Sequence, residues 1–298
     1  MQGLYSPERT LFFVTLETHA RNHIALAAEL LRLNEAREAL ADCVDPGRDL
    51  FCLYGASETE LDEHVTALRA ACTFELKIGV PQVALVEKPM WPAECVHFPR
   101  DGIKQTFIRV KLILTPAPME TGLTFASRVF ADASTPQASI QAVENGVTAL
   151  AKRGTHGDYR VRGGKVILSE LASDQAASTE AIQQVASAAF RDALRASVSA
   201  LFEPLMQVVI DTPKDYEGFV LGDLLGRRGQ IIDRSVAGPA LRIVAMVPLA
   251  NMSGYADQLR SFTQRYGTFS MQFDRYEQMP PAPSNTPPFR PAAALRAA

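Results

Sequence analysis

The sequence predicts an α+β protein built from several units, and three observations carry that prediction. Residues 11–78 read as strand, helix, strand, strand, helix, strand; residues 206–276 repeat that order; the stretch between them places a group of strands ahead of its helices. Strict alternation would indicate a doubly wound parallel sheet, whereas segregated strands and helices indicate α+β. The βαββαβ order is the ferredoxin-like split, so two such domains are expected to flank a central α+β domain. A chain of 298 residues also exceeds the usual size of one domain. The expected boundaries are 1–79, 80–205 and 206–280, followed by a tail at 281–298.

Each element follows from local pattern. In the first unit, 11–16 is a β-rich apolar run, and 19–40 carries Ile24, Leu26, Ala27, Leu30, Leu31 and Leu33 at helical spacing. A short strand at 41–44, the turn at Pro46-Gly47 and a strand at 50–55 come next. Ser57 with Glu60 makes a capping box for a helix ending near Cys72, and 74–78 closes the unit as a strand. In the second unit, Gly79-Val80-Pro81 is a hinge, strands fall at 82–86, 108–114 and 123–130, and helices at 136–153 and 176–201 enclose a strand at 165–168. The third unit reads as strand 206–211, helix 214–226, strands 230–236 and 240–247, helix 255–266 and strand 268–276. Six prolines between Pro280 and Pro291 with little apolar patterning predict that 281–298 is disordered.

Composition narrows the function classes. Lys and Arg number 7 against 13 Asp and Glu in residues 1–79, and the two signs balance over the rest, so any contact with RNA must be local rather than a broad basic surface. No apolar run is long enough for a membrane span and no secretory signal is readable in 1–10, so the expected location is the cytoplasm, with neither membrane nor DNA as a partner. Cys43, Cys52, Cys72 and Cys95 form no C-x-x-C pair and read as buried thiols, so no metal is expected. His19 and His23 have zinc-compatible spacing, but Ala20 stands where a zincin carries its glutamate, and a helix surface is the simpler reading.

Longer motifs lie in the third unit. Thr212-Pro213-Lys214-Asp215-Tyr216-Glu217-Gly218 leads to Gly222-Asp223-Leu224-Leu225-Gly226-Arg227-Arg228-Gly229-Gln230-Ile231. Val247-Pro248-Leu249-Ala250, Gly254-Tyr255-Ala256-Asp257-Gln258-Leu259-Arg260-Ser261-Phe262-Thr263-Gln264 and Gly267-Thr268-Phe269-Ser270-Met271-Gln272-Phe273-Asp274 complete it. These runs, in this order, resemble the last domain of translation elongation factor G. Gly79-Val80-Pro81-Gln82-Val83-Ala84 resembles the junction into that family's fourth domain, and residues 10–78 resemble its third. The resemblance implies a ribosomal-protein-like central domain with a left-handed crossover, an exception to the usual handedness. It also implies a ribosome-binding protein, with ribosomal RNA and proteins as partners; the alternative reading is the C-terminal part of a split or longer factor, which would add a separate GTP-binding domain as partner in tRNA-mRNA translocation. The ribosome-binding residues it implies are Arg227, Arg228, Gln230, Tyr255, Arg260, Gln264 and Arg265. By residue chemistry, Gly226 and Gly229 are expected to supply the positive φ of a helix C-cap beside Arg227 and Arg228. Those arginines fit phosphate contact or stabilisation of the helix C-terminus, and both readings stay open. The family's tip loops correspond to segments containing Arg100, Asp101, Gly102 and Lys104, and Ser173, Asp174 and Gln175, which here carry a single glycine and no histidine in the second.

No G-x-x-x-x-G-K-[ST] phosphate loop occurs, and Arg162-Gly163-Gly164-Lys165 reads as a hairpin turn. GTP is therefore not expected to bind this chain, no cofactor is expected, and the nucleotide-binding domain of the family would precede Met1. A Ser-His-Asp hydrolase is the enzyme alternative, but no G-x-S-x-G elbow supports it and no catalytic residue is nominated.

Overall fold

The computed structural model describes residues 10–37, 40–45, 50–97, 107–131, 135–157, 159–174 and 177–280. The first unit opens with β1 (Phe12–Glu17), whose Phe12, Val14 and Leu16 alternate inward. After a 3-10 turn (Ala20–Asn22), α1 (His23–Arg37) buries Leu26, Leu30 and Leu33 as one stripe. The strands β2 (Leu40–Asp45) and β3 (Leu50–Gly55) pair antiparallel. The capping box then starts α2 (Glu58–Ala71): the Glu60 amide donates to Ser57 Oγ at 3.1 Å, and Glu60 Oε2 accepts from the Ala56 amide at 2.8 Å. Only β4 (Lys77–Ile78) of the last expected strand joins the ladder, while Phe74 and Leu76 still pack on the core. The sheet order β2-β3-β1-β4 is ferredoxin-like, and β5 (Gln82–Val83) returns to pair with β1.

The chain continues through β6 (Val86–Lys88), β7 (Ala93–His97), β8 (Ile108–Pro116), β9 (Leu123–Ser127), α3 (Gln137–Ala151), β10 (Arg160–Val161), β11 (Gly164–Ser173) and α4 (Thr179–Ala196). Four of these strands form the second sheet in the order β7-β8-β11-β9, antiparallel except for the β9/β11 pair that α3 bridges. Val110, Leu112, Leu114, Val166 and Leu168 line its inner face against α3 and α4. The two helices meet at Gly146, where an added Cβ would fall 2.3 Å from the Gln183 carbonyl oxygen, so only glycine permits this approach.

The third sheet is built on β12 (Ala200–Pro213), followed by α5 (Glu217–Gly226), β13 (Gln230–Ala237), β14 (Ala240–Pro248), α6 (Tyr255–Phe262) and β15 (Thr268–Gln278). Around β12 the order is β13-β14-β12-β15, again ferredoxin-like. β12 starts six residues earlier than its sequence reading. Pro204 interrupts the pattern, and the sheet accommodates it with a register shift between Leu205 and Met206. The early residues of β12 pair with β6, which pairs in parallel with β10, so strands flanking the second sheet extend the third. The cores of the first and third units merge into one apolar cluster running from Leu11 to Leu259, whereas the second unit keeps its own.

Candidate functional site

The end of α5 carries the paired arginines. The Arg228 amide donates to the Leu225 carbonyl at 3.1 Å and the Gly229 amide to that of Leu224 at 2.7 Å, the two bonds of a Schellman ending. The left-handed residue of that ending is Arg228, at φ 63°, and neither Gly226 nor Gly229 has positive φ. This corrects the expectation that a glycine supplies the turn. The arginine tolerates the conformation because its side chain is anchored: Nη2 donates to Glu203 Oε1 at 2.6 Å, and Glu203 is buried in β12.

Arg227 is turned inward, contrary to the expectation of a displayed side chain. Its Nε donates to Asp223 Oδ2 at 2.8 Å, Nη1 to the Asn251 carbonyl at 2.5 Å and Nη2 to Gln258 Oε1 at 2.6 Å. Asn251 Nδ2 donates back to the Arg227 carbonyl at 2.8 Å, and Gln258 Nε2 to Asp223 Oδ1 at 2.9 Å. The guanidinium lies 5.0 Å from the centroid of the Tyr255 ring, and only 13% of the side chain is exposed. Tyr255 is fully buried, edge-on to Phe269, so it is a core residue rather than a surface contact. Burial pushes the Tyr255 hydroxyl well above its ordinary range; the Asp223 carboxylate adds to the rise and Arg227 opposes it. Of the two sequence readings of Arg227, stabilisation of the helix end is the one its geometry matches. Asp223 and Arg227 stand four apart, a spacing legible in the sequence; the contributions of Asn251, Gln258 and Glu203 carry no local signal.

Arg260, Gln264 and Arg265 behave differently. The expected helix to 266 stops at Phe262, and Gln264 (φ 51°) and Arg265 (φ 72°) follow in left-handed conformations. The Arg265 amide donates to the Arg260 carbonyl at 2.8 Å, which brings the two residues together. Their side chains border an open depression of about 590 Å³ with Asp257, Ser261, Gly267 and Thr268. Arg260 is 65% exposed and its 3.4 Å pair with Asp257 is equally open, a weak tie in water. Gln230, exposed at the start of β13, borders a different depression of about 300 Å³ shared with Arg228, Glu203 and Glu277. Two carboxylates there face one arginine; two arginines face one carboxylate in the Arg260/Arg265 depression.

At the tip of the second unit, Arg100, Asp101, Gly102, Lys104 and Gln175 lie outside the described residues. Ser173 ends β11 opposite Ile108, and Asp174 ties the two strand ends together by accepting the Phe107 amide at 2.7 Å. Among the described residues no group of His, Cys, Asp and Glu has a metal-holding arrangement, and no helix is long and apolar enough to cross a membrane.

Residues 81–198 match the family model for elongation factor G, domain IV, and residues 200–287 that for the elongation factor G C-terminus. The chain is also 41% identical over 231 residues to elongation factor G of Rhodopseudomonas palustris (strain BisB18), a match covering 76% of this chain and 33% of that protein. The chain belongs to the elongation factor G family. It spans about a third of the length of that curated relative, and the matched models are those of the family's two C-terminal domains. A crystal structure of a Thermus thermophilus protein superposes on 93% of this chain and 42% of its own, with a TM-score of 0.58 at 25% identity. The second sheet with α3 and α4 thus lies within the domain IV match, and the elements from β12 to β15, with the arginines they carry, within the C-terminal match.

Proposed function

We propose that this elongation factor G family chain binds the ribosome at the translation-factor site, with Arg260 and Arg265 as phosphate-contacting cations of the last domain. The observation that carries the reading is the pair of consecutive family matches over residues 81–287. Left-handed backbone at two successive non-glycine residues, Gln264 and Arg265, supports the choice of Arg265, since such conformations concentrate at functional surfaces. Exposed guanidinium groups suit phosphate oxygens, and a local contact suits a chain whose overall charge is −3. Arg227 and Arg228 serve this surface as scaffold. The setting is the cytoplasm, where ribosomes are.

Co-sedimentation with ribosomes over a salt series tests the proposal. Each lost phosphate contact lowers the slope of log affinity against log salt by about 0.7–0.9, so Arg260→Ala with Arg265→Ala should lower it by about 1.4–1.8 and weaken binding. A wild-type chain that fails to sediment with ribosomes at low salt would sink the reading. Coverage of one third of the R. palustris factor favours a second reading, in which these domains act with a GTP-binding segment in tRNA-mRNA translocation. In either case the chain itself binds no guanine nucleotide, and a micromolar dissociation constant for a fluorescent GTP analogue would contradict that.

A further inference from the structure

Glu87 stands in the middle of β6 with its side chain fully buried. Both carboxylate oxygens are occupied. Oε2 accepts the Thr155 amide at 2.5 Å and the His156 amide at 3.3 Å; Oε1 accepts the hydroxyls of Thr155 at 2.6 Å and Ser199 at 2.5 Å, with His156 Nδ1 at 3.1 Å. The donors come from two places distant in sequence, the turn after α3 and the joint between α4 and β12. The turn is shaped to the carboxylate: Gly154 has φ 61°, and a Cβ there would fall 2.3 Å from Glu87 Oε2 and 2.3 Å from the Tyr159 carbonyl oxygen. Burial alone would raise the Glu87 carboxyl, but the hydrogen bonds from Ser199 and Thr155, with His156 beside them, hold it below its ordinary value.

Backbone bonds converge on the same place. The Arg162 amide donates to the Glu87 carbonyl at 2.9 Å, and the Trp91 amide to that of Ser197 at 3.0 Å. β6 pairs with β10 on one side and β12 on the other. A buried carboxylate is tolerated only while its donors stay in place, so losing any one of them is resisted by the cost of leaving charge unpaired. We infer that Glu87 fastens the α3–β10 turn and the α4–β12 joint onto β6, so that the second unit and the last sheet move as one body. This fastening is independent of what the last domain binds.

Hydrogen exchange by mass spectrometry and small-angle scattering on the full chain test it, using Glu87→Gln and Gly154→Ala. Both variants should exchange at least tenfold faster in peptides spanning 152–163 and 197–203, while α4 and β14 keep wild-type rates. Their distance distributions should broaden at the same time. Uniform acceleration across the chain would overturn the inference, because Glu87 would then be an ordinary core group. Unchanged exchange in those peptides, or an unchanged scattering profile, would overturn it as well.

Discussion

Replacing Arg227 with alanine should unfold the last domain more readily rather than merely weaken a surface contact. Its guanidinium joins α5 to the start of α6 through Asp223, the Asn251 carbonyl and Gln258, with little of it exposed. Hydrogen bonds involving a charged group contribute about 1.5–3 kcal/mol, and breaking a buried ion pair costs about 3–5 kcal/mol because the partner is left unpaired. Asp223 retains Gln258 as a donor and is not wholly buried, which moves the expectation down to about 2–4 kcal/mol. For a domain assembly of this size each kcal/mol moves the melting midpoint by about 2–4 °C, so a drop on the order of 10 °C is expected. Arg227→Lys keeps the charge but lacks the planar fork that reaches four separate acceptors, the Ser253 carbonyl at 3.3 Å being the fourth, and should lose at least half as much. Thermal unfolding by circular dichroism gives the measurement. If Arg227→Ala cost less than about 1 kcal/mol while ribosome co-sedimentation fell, the scaffold assignment would be wrong and the phosphate reading restored.

Tyr255→Phe should be neutral or stabilising by about 1 kcal/mol, since the buried hydroxyl has no hydrogen-bond partner among the described residues; a loss above 1 kcal/mol in urea unfolding would contradict this. Because the folded state raises the Tyr255 hydroxyl, the wild type should lose stability as pH climbs above the ordinary value of 10.0, and Tyr255→Phe should flatten that decline in alkaline melts. Glu87 has the opposite sign: its folded value lies below the ordinary 4.5, so its contribution is complete above that pH and is lost as pH falls through the folded value. An acid titration of Glu87→Gln should accordingly be shallower there than wild type. Arg228→Gly should destabilise by about 2 kcal/mol, because unpairing buried Glu203 outweighs the roughly 1 kcal/mol gained from relieving a left-handed arginine; a more stable variant would mean that the ion pair contributes little.

Much of the fold was legible because local signals and tertiary outcome agree. Alternation along β1, the Ser57/Glu60 cap and the apolar stripe of α1 each predict their element without outside help. The strands that escaped are those whose stability is not local. β10 is two residues held by a parallel partner, β7 lies among Pro89, Pro92 and Pro99, and the start of β12 is hidden by Pro204. Their hydrogen bonds come from strands far along the chain, and no window of sequence contains that information.

The site divided along the same line. Glycines around a pair of arginines predicted a turn correctly but assigned its strained residue wrongly, because the identity of that residue is set by Glu203, 25 positions away. Arg227 and Arg260 look equivalent as letters, each exposed in prospect, one just past the end of a helix and one on a helix of the same domain. What separates them is whether acceptors from another element reach the guanidinium: four oxygen atoms lie within hydrogen-bond distance of Arg227, and one weak carboxylate contact of its own helix meets Arg260. A guanidinium already surrounded by protein acceptors has little left to offer a phosphate, whereas one held only by an open carboxylate can exchange that partner at small cost. Saturation of donors, rather than the presence of arginine in a family motif, is therefore the property that ranks these residues as scaffold or contact.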